Sequence, residues 1–118
     1  MITIVCSSDL IGEANALAER LRAADSDEYG AVFCPKPDDS TSDRSPVDRM
    51  NCAIASSVCL YVLAPCGVVG RVTAAHVGYA RAYGVPVYTS SELADENLAC
   101  FTSGMLPPDD FVEYMASR

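Results

Sequence analysis

The sequence is poor in positive charge. Its 8 lysine and arginine residues are outnumbered by 16 aspartates and glutamates, which gives a formal net charge of −8 at pH 7. The basic residues are scattered along the chain and form no cluster. Proteins that bind nucleic acid neutralise phosphates with clustered lysine and arginine, whereas a chain of this charge repels a polyanion. We therefore expect no nucleic-acid partner.

Long hydrophobic runs are also missing. No apolar run approaches the roughly 20 residues that a membrane-spanning helix needs. The opening Met-Ile-Thr-Ile-Val-Cys is too short for the apolar core of a signal peptide, and it has no basic residues before it. We therefore expect a cytoplasmic protein with no membrane partner.

The cysteines lack the spacing of a metal site. Six are present, at positions 6, 34, 52, 59, 66 and 100, and no two of them form a Cys-x-x-Cys pair. Several lie in runs that are typical of buried strands, where a reduced thiol behaves as a small hydrophobic group. The pattern predicts reduced thiols, with neither a metal centre nor a disulfide framework. We expect no bound cofactor.

Strand-like and helix-like segments alternate along the 118 residues, of which 50% are hydrophobic. Apolar, β-branched runs predict strands at residues 2–6, 31–34, 58–64 and 85–88. Apolar periodicity and helix-start residues predict helices at 9–24, from 45, at 73–83 and from 108, with a short helical turn after Ser91. Ser8 or Asp9 is the predicted cap of the first helix and Ser45 that of the second. Residues 35–45 are polar and predict a loop, and Pro86 favours a strand at or near the sheet edge.

This alternation predicts one α/β domain over residues 1–118. The predicted architecture is a three-layer sandwich with a small parallel sheet of about four to five strands, of the flavodoxin-like or Rossmann-like type. Ligands of such sheets bind beyond the carboxyl ends of the strands, at the point where the strand order reverses.

Two predicted loops end at that point: residues 7–9 after the first strand and residues 66–71 after the third. Both lead into helix N-termini, whose free N–H groups favour an anionic or hydroxyl-rich ligand. We predict that one cavity there is surrounded by Ser8, Gly67, Gly70 and His76. Ser7 and Arg71 are further candidate ligand contacts, although a solvated arginine explains Arg71 as well.

The stretch from Gly70 to Tyr88 contains a motif. It has Gly-Tyr-Ala at 78–80 in a predicted helix and Gly-Val-Pro-Val-Tyr at 84–88 leading into the fourth strand. This resembles the signature of nucleoside 2-deoxyribosyltransferase-like proteins, in which a glycine-containing loop precedes a Glu-[Ile/Leu]-Gly-Tyr-Ala helix and then Gly-Lys-Pro-Val-Tyr. The resemblance implies the family's α/β fold, a nucleoside or nucleotide ligand, and a homo-oligomer whose sites a neighbour completes.

The sequence departs from that family at the reacting groups. In the family, the residue three before the tyrosine of Gly-Tyr-Ala is the catalytic glutamate, and here that residue is His76. The family often has an Asp just before its third strand, whereas residues 56–58 here are Ser-Ser-Val. Imidazole can perform acid–base work but is a poor substitute for a carboxylate nucleophile. Asp9 is the candidate second carboxylate, although N-capping accounts for it equally well.

His76 follows the predicted helix start at Thr73 by three residues. We expect this capping-box position and the helix dipole to lower the pKa of His76 and keep it neutral. A neutral His76 has two possible roles. It hydrogen-bonds a base or a sugar, or it caps the helix and has no role in catalysis. Tyr79 and Tyr83 are one helical turn apart and therefore lie on the same face of the helix. Their rings are candidates for stacking on a base, and the alternative is packing in the core or an interface.

Three functions are open to a chain with these features. The favoured one is a relative of the family without catalytic activity, which binds a nucleoside or nucleotide or assembles as an oligomer. The second is an N-glycosidase or deoxyribosyltransferase in which His76 and Asp9 are the catalytic residues. The third is a cysteine-dependent phosphotransfer subunit built on Cys6, which the negative charge of Asp9 disfavours because such a loop must hold phosphate.

Overall fold

The computed structural model describes residues 1–24, 32–34 and 45–118. Five strands are present in this part of the chain: β1 Ile2–Cys6, β2 Val32–Phe33, β3 Cys59–Leu63, β4 Val87–Thr89 and β5 Gly104–Met105. They form one parallel sheet in the order β2-β1-β3-β4-β5. The chain leaves β1 toward one edge through β2 and returns to build the other side from β3. The strand order therefore reverses between β1 and β3.

Helices follow the strands in the described segments: α1 Ile11–Ala24, α2 Pro46–Ala55, α3 Arg71–Ala82, α4 Glu96–Ala99 and α5 Pro108–Ala116. A 3₁₀ turn at Ser8–Leu10 leads into α1. The predicted start of α2 is confirmed, since Pro46 is its first residue and the Asp48 N–H donates to Ser45 Oγ at 3.2 Å. None of the described helices combines the length and apolar content that a membrane crossing requires.

The sheet is buried on both faces by two hydrophobic cores. On one face, α1 and α5 pack against β1 and β3, and the fully buried Phe111 stacks on Tyr61 with 4.1 Å between ring centroids. On the other face, α2 and α3 pack against β3 and β4, with Ile54 and Val77 fully buried among Leu60 and its neighbours. Two helical layers with a parallel sheet between them make the three-layer α/β fold, and its 2-1-3-4-5 strand order is the flavodoxin-like one. The predicted fold class is confirmed.

Two predicted helix starts are wrong. Ser8 and Asp9 do not cap α1, because both belong to the 3₁₀ turn and α1 begins only at Ile11. The helix that was predicted from Thr73 begins at Arg71, after the extended Gly70 as N-cap. Apolar periodicity did not locate these starts, because Ser8, Asp9, Arg71 and Val72 are exposed and lie outside the buried faces of the helices.

The strand after Pro86 lies near the sheet edge, as predicted, because β4 is next to the edge strand β5. Pro86 is accommodated because it precedes β4, where its carbonyl accepts from the Leu60 N–H at 2.8 Å. β5 was not predicted, since Gly104 and Met105 are too few to form an apolar run. Of the predicted loop at 35–45 only Ser45 is among the described residues, and Ala31 of the predicted second strand lies outside them.

Candidate functional site

A cleft lies beyond the carboxyl end of β1, between the N-terminal turns of α2 and α3. Its volume is about 530 Å³. This volume is within the range of pockets that hold small ligands. Most of the described lining is apolar. The residues come from β1, the turn after it, the start of α1, α2, and α3 with its N-cap: Val5, Cys6, Ser7, Ser8, Ile11, Pro46, Val47, Met50, Gly70, Arg71, Val72, Thr73 and His76.

The topology brings most of the predicted site residues to this cleft. Because β1 and β3 are neighbours in full register, the chain segments that follow them open at the same edge of the sheet. Ser8, Gly70 and His76, three of the four residues predicted to share a cavity, line the cleft. Ser7 and Arg71 line it as well. Gly67, Asp9 and Tyr79 do not.

His76 is the most buried polar group of the cleft, with 5% of its surface exposed. It is the sixth residue of α3, in the second turn, so the predicted role as a helix cap is wrong. Its Nδ1 lies 3.0 Å from Oδ1 of Asn51 on α2. Its Nε2 has no hydrogen-bond partner in residues 1–24, 32–34 and 45–118, yet it is not sealed from solvent. Nε2 is therefore accessible on the surface that His76 lines.

Burial sets the protonation state of His76. Loss of hydration disfavours the charged imidazolium, which lowers the pKa of His76 from its ordinary value. The predicted direction is confirmed, and its cause is burial of the ring. At neutral pH the ring is uncharged, with one N–H and one bare nitrogen.

The first turn of α3 provides positive potential beside His76. The first hydrogen bond of the helix runs from the Ala74 N–H to the Gly70 carbonyl at 3.0 Å, so the preceding N–H groups have no partner within the helix. Arg71 is exposed at the same end and forms no ion pair with another described residue. Unpaired N–H groups and a guanidinium at one helix end are suited to an anionic group.

Asp9 does not line the cleft. It is exposed on the 3₁₀ turn, and its Oδ1 accepts from Ser7 Oγ at 2.6 Å. The cleft lining in the described residues contains neither Asp nor Glu. The two residues that were predicted as a catalytic pair, His76 and Asp9, are therefore not brought together around this cavity.

Gly67 has a structural task next to the cleft. Its φ is +74°, and a Cβ there would fall well inside van der Waals contact with the backbone oxygen of Glu92. The Gly67 carbonyl also accepts from the Ala94 N–H at 2.9 Å. Glycine at this position thus lets the loop after β3 lie against residues 92–94. Gly67 lines a smaller adjoining cavity of about 280 Å³.

A groove between α2 and α3 continues the cleft. It has a volume of about 440 Å³ and shares Val47, Arg71, Val72 and His76 with the cleft. Tyr79 lies in this groove, where its ring stacks on Tyr83 with 4.6 Å between centroids. The two predicted ligand contacts His76 and Tyr79 therefore lie along one continuous surface.

The cysteines are free thiols. Cys34 and Cys59 are buried as predicted, whereas Cys52, Cys66 and Cys100 are exposed. Cys6 lines the cleft, and burial, followed by the neighbouring Cys34, Asp9 and Glu13, raises its pKa to about 11. In the described parts of the chain no three His, Cys, Asp or Glu side chains are grouped as a metal site requires.

Comparisons with known proteins bear on the fold. No family model matches the chain, and no curated protein matches it. A crystal structure of a conserved protein from Enterococcus faecalis V583 is similar with a TM-score of 0.63 and 16% sequence identity, over 100% of this chain and 99% of that chain. The shared feature is the flavodoxin-like or Rossmann-like α/β fold. At this identity the similarity concerns the fold alone.

Sequence reasoning missed the contribution of α2. Pro46, Val47 and Met50 form one wall of the cleft, and Asn51 binds His76. The helix start at Ser45 was recognised, but which face of α2 meets α3 is a tertiary property. One signal was present: Asn51 is four residues after Val47, so a polar group sits beside the apolar stripe of that helix.

Proposed function

We propose that this chain binds a nucleoside or nucleotide in the cleft at the carboxyl end of β1, as a divergent relative of the nucleoside 2-deoxyribosyltransferase-like proteins. The observation that carries the proposal is the open Nε2 of a buried, neutral His76 in an apolar cleft whose mouth bears Arg71. Nε2 lies on an otherwise buried ring and has no partner among the described residues, so it is suited to a ligand that supplies a hydrogen bond as it displaces solvent.

The chemical variety of the lining supports a ligand with several parts. Arg71 and the first turn of α3 suit a phosphate, His76 suits a hydroxyl or amino group, and the side chains of Val47, Met50 and Val72 suit an aromatic base or the carbon face of a sugar. A nucleoside 5′-monophosphate combines these parts in one molecule. The adjoining groove at Tyr79 provides an aromatic ring on which a base can stack.

Binding without turnover is favoured over glycosidase or transferase activity. Cleavage of an N-glycosidic bond develops positive charge on the sugar, which a carboxylate stabilises or captures as a nucleophile. His76 replaces the glutamate of the related motif, and the described lining offers no other carboxylate. A neutral imidazole supplies neither the negative charge nor the covalent ester.

Phosphotransfer through Cys6 is disfavoured by its protonation. A thiol with a pKa of about 11 is almost entirely protonated at neutral pH, and only the thiolate is the nucleophile. Burial, the largest cause of the raised pKa, also hinders access of a phosphorylated donor protein.

Replacing Arg71 by alanine tests the phosphate contact. We expect nucleoside 5′-monophosphates to lose about tenfold to hundredfold in affinity, because a hydrogen bond to a charged group contributes about 1.5–3 kcal/mol. The parent nucleosides should bind the variant and the wild type equally. Isothermal titration calorimetry with the four ribonucleosides and their 5′-monophosphates measures both affinities.

Arg81→Ala is the matched control for the removal of positive charge. Arg81 is exposed in the last turn of the same helix and lines neither the cleft nor the groove. It should leave every affinity unchanged. An equal loss in both variants would indicate a general electrostatic effect, and no binding of any compound to the wild type would contradict the proposed function.

A further inference from the structure

Asn51 and His76 face each other across the two helices that form the walls of the cleft. Asn51 is half-buried on α2, and its Oδ1 lies 3.0 Å from Nδ1 of His76 on α3. His76 lines both the cleft and the groove at Tyr79. The pair thus lies where the two cavities meet.

The partner of Nδ1 determines where the proton of the imidazole resides. An amide oxygen only accepts hydrogen bonds, so Nδ1 must carry a hydrogen to donate to Asn51. A neutral imidazole has a single N–H, and the second nitrogen, Nε2, is then an acceptor. A ligand that meets Nε2 must bring a hydrogen-bond donor.

The spacing along α3 indicates which part of a nucleotide can provide that donor. Arg71 and His76 are five residues apart, which is about 7.5 Å along the axis of an α-helix. A nucleotide whose phosphate bound at the first turn of α3 would have its sugar within reach of His76. The sugar hydroxyls are donors, whereas the ionised phosphate offers only acceptors at its terminal oxygens.

We propose that Asn51 is a positioning residue that holds His76 in the Nδ1–H tautomer, so that Nε2 accepts a hydrogen bond from a sugar hydroxyl of the bound nucleotide. The part that concerns the sugar hydroxyl rests on the proposed function. The part that concerns the tautomer does not, because it follows from the contact between two side chains of the ligand-free protein.

Nitrogen-15 NMR of the ligand-free protein tests the tautomer directly. His76 is the only histidine of the chain, so its imidazole signals need no assignment against other histidines. We expect a protonated, pyrrole-type Nδ1 and a bare, pyridine-type Nε2 at pH 7.5. A protonated Nε2 would overturn the proposal, because Asn51 would then have to offer its amide NH₂ group to Nδ1.

Substitutions of Asn51 separate positioning from packing. Asn51→Leu removes the acceptor and should shift the proton of His76 partly to Nε2. Asn51→Asp keeps an acceptor of the same shape and should preserve the Nδ1–H tautomer at a pH high enough for the ring to be neutral, because the new carboxylate also favours the imidazolium. Asn97→Leu makes the same chemical change on the exposed surface of α4 and is the control. If the folded Asn51→Leu protein keeps the wild-type tautomer, Asn51 does not hold His76 in that tautomer. If the variant does not fold, the wild-type spectrum remains the test, and a protonated Nε2 there overturns the proposal.

Adenosine 5′-monophosphate and its 2′,3′-dideoxy analogue test the sugar contact. The wild type should bind the ribose compound about fivefold to tenfold more tightly, since one net hydrogen bond is at stake. Asn51→Leu should reduce this ratio toward one, while Asn51→Asp should retain most of it. Equal affinities in the wild type would overturn the sugar contact. If neither compound binds, both the sugar contact and the proposed function are contradicted. The assignment of the His76 tautomer does not depend on that result.

Discussion

Replacing Gly67 by alanine is expected to lower the free energy of unfolding by about 2–5 kcal/mol. One cause is the left-handed backbone, since φ is +74° at this residue and a Cβ is disfavoured there. The second cause is crowding, because the new methyl group would overlap the backbone oxygen of Glu92. Backbone atoms cannot rotate aside as a flexible side chain can, so residues 92–94 would have to shift.

Gly84→Ala is the matched control. Gly84 has a φ of +72°, but a Cβ at that position meets no atom within 4 Å. It should therefore cost only the conformational part, about 1–2 kcal/mol. Urea unfolding of both variants, followed by circular dichroism, gives the difference. Equal losses would show that the loop after β3 is free to move away from residues 92–94.

The second large effect concerns catalysis, and it follows from the position of His76. We expect the wild type to release no base from ribonucleosides, deoxyribonucleosides or their 5′-monophosphates above the uncatalysed rate. His76→Glu places a carboxylate on the second turn of α3, facing an apolar cleft that can hold the sugar. Release of base should then become measurable, at about 10²-fold above background, the lower end of what one acid–base group contributes.

His76→Gln is the control because it is close in shape to glutamate and has no charge. It should remain inactive, as should His76→Ala. Base release is measured by chromatography, and thermal unfolding of each variant confirms that it is folded. Robust turnover by the wild type that disappears in His76→Ala would contradict binding without catalysis and would make His76 a catalytic residue.

The arrangement of the sheet could be predicted from the sequence because the chain marks its strands clearly. The run from Val58 to Ala64 is apolar throughout, and β3 within it is buried at every position. A strand of this kind has to be covered on both faces, which in a chain of alternating strands and helices leads to a parallel sheet. The two-residue strand β5 has no such signal, because its place depends on pairing with β4, where the Val87 and Thr89 carbonyls accept from the N–H groups of Ser103 and Leu106.

The candidate site was predictable only where it depends on topology. Ser8, Gly70 and His76 line one cleft because they come after β1 and β3 in the chain. The strand order alone, in which β1 and β3 are neighbours, predicts that arrangement. The contact between Asn51 and His76 depends on the rotation of α2 against α3, which no local pattern in the sequence specifies. Gly67 was not predictable in full, since the need for glycine comes from contact with residues 92–94 as well as from the positive φ within its own loop.

Chemical-shift mapping tests the proposed cleft most directly. Amide spectra of the ¹⁵N-labelled wild type are recorded while adenosine, guanosine, cytidine and uridine 5′-monophosphates are added in turn. We predict saturable changes for at least one nucleotide, concentrated at Ser7, Ser8, the first turn of α3 and His76, with little change in α5 on the opposite face of the sheet. No saturable change with any nucleotide, or changes centred on α5, would contradict a nucleotide site in this cleft.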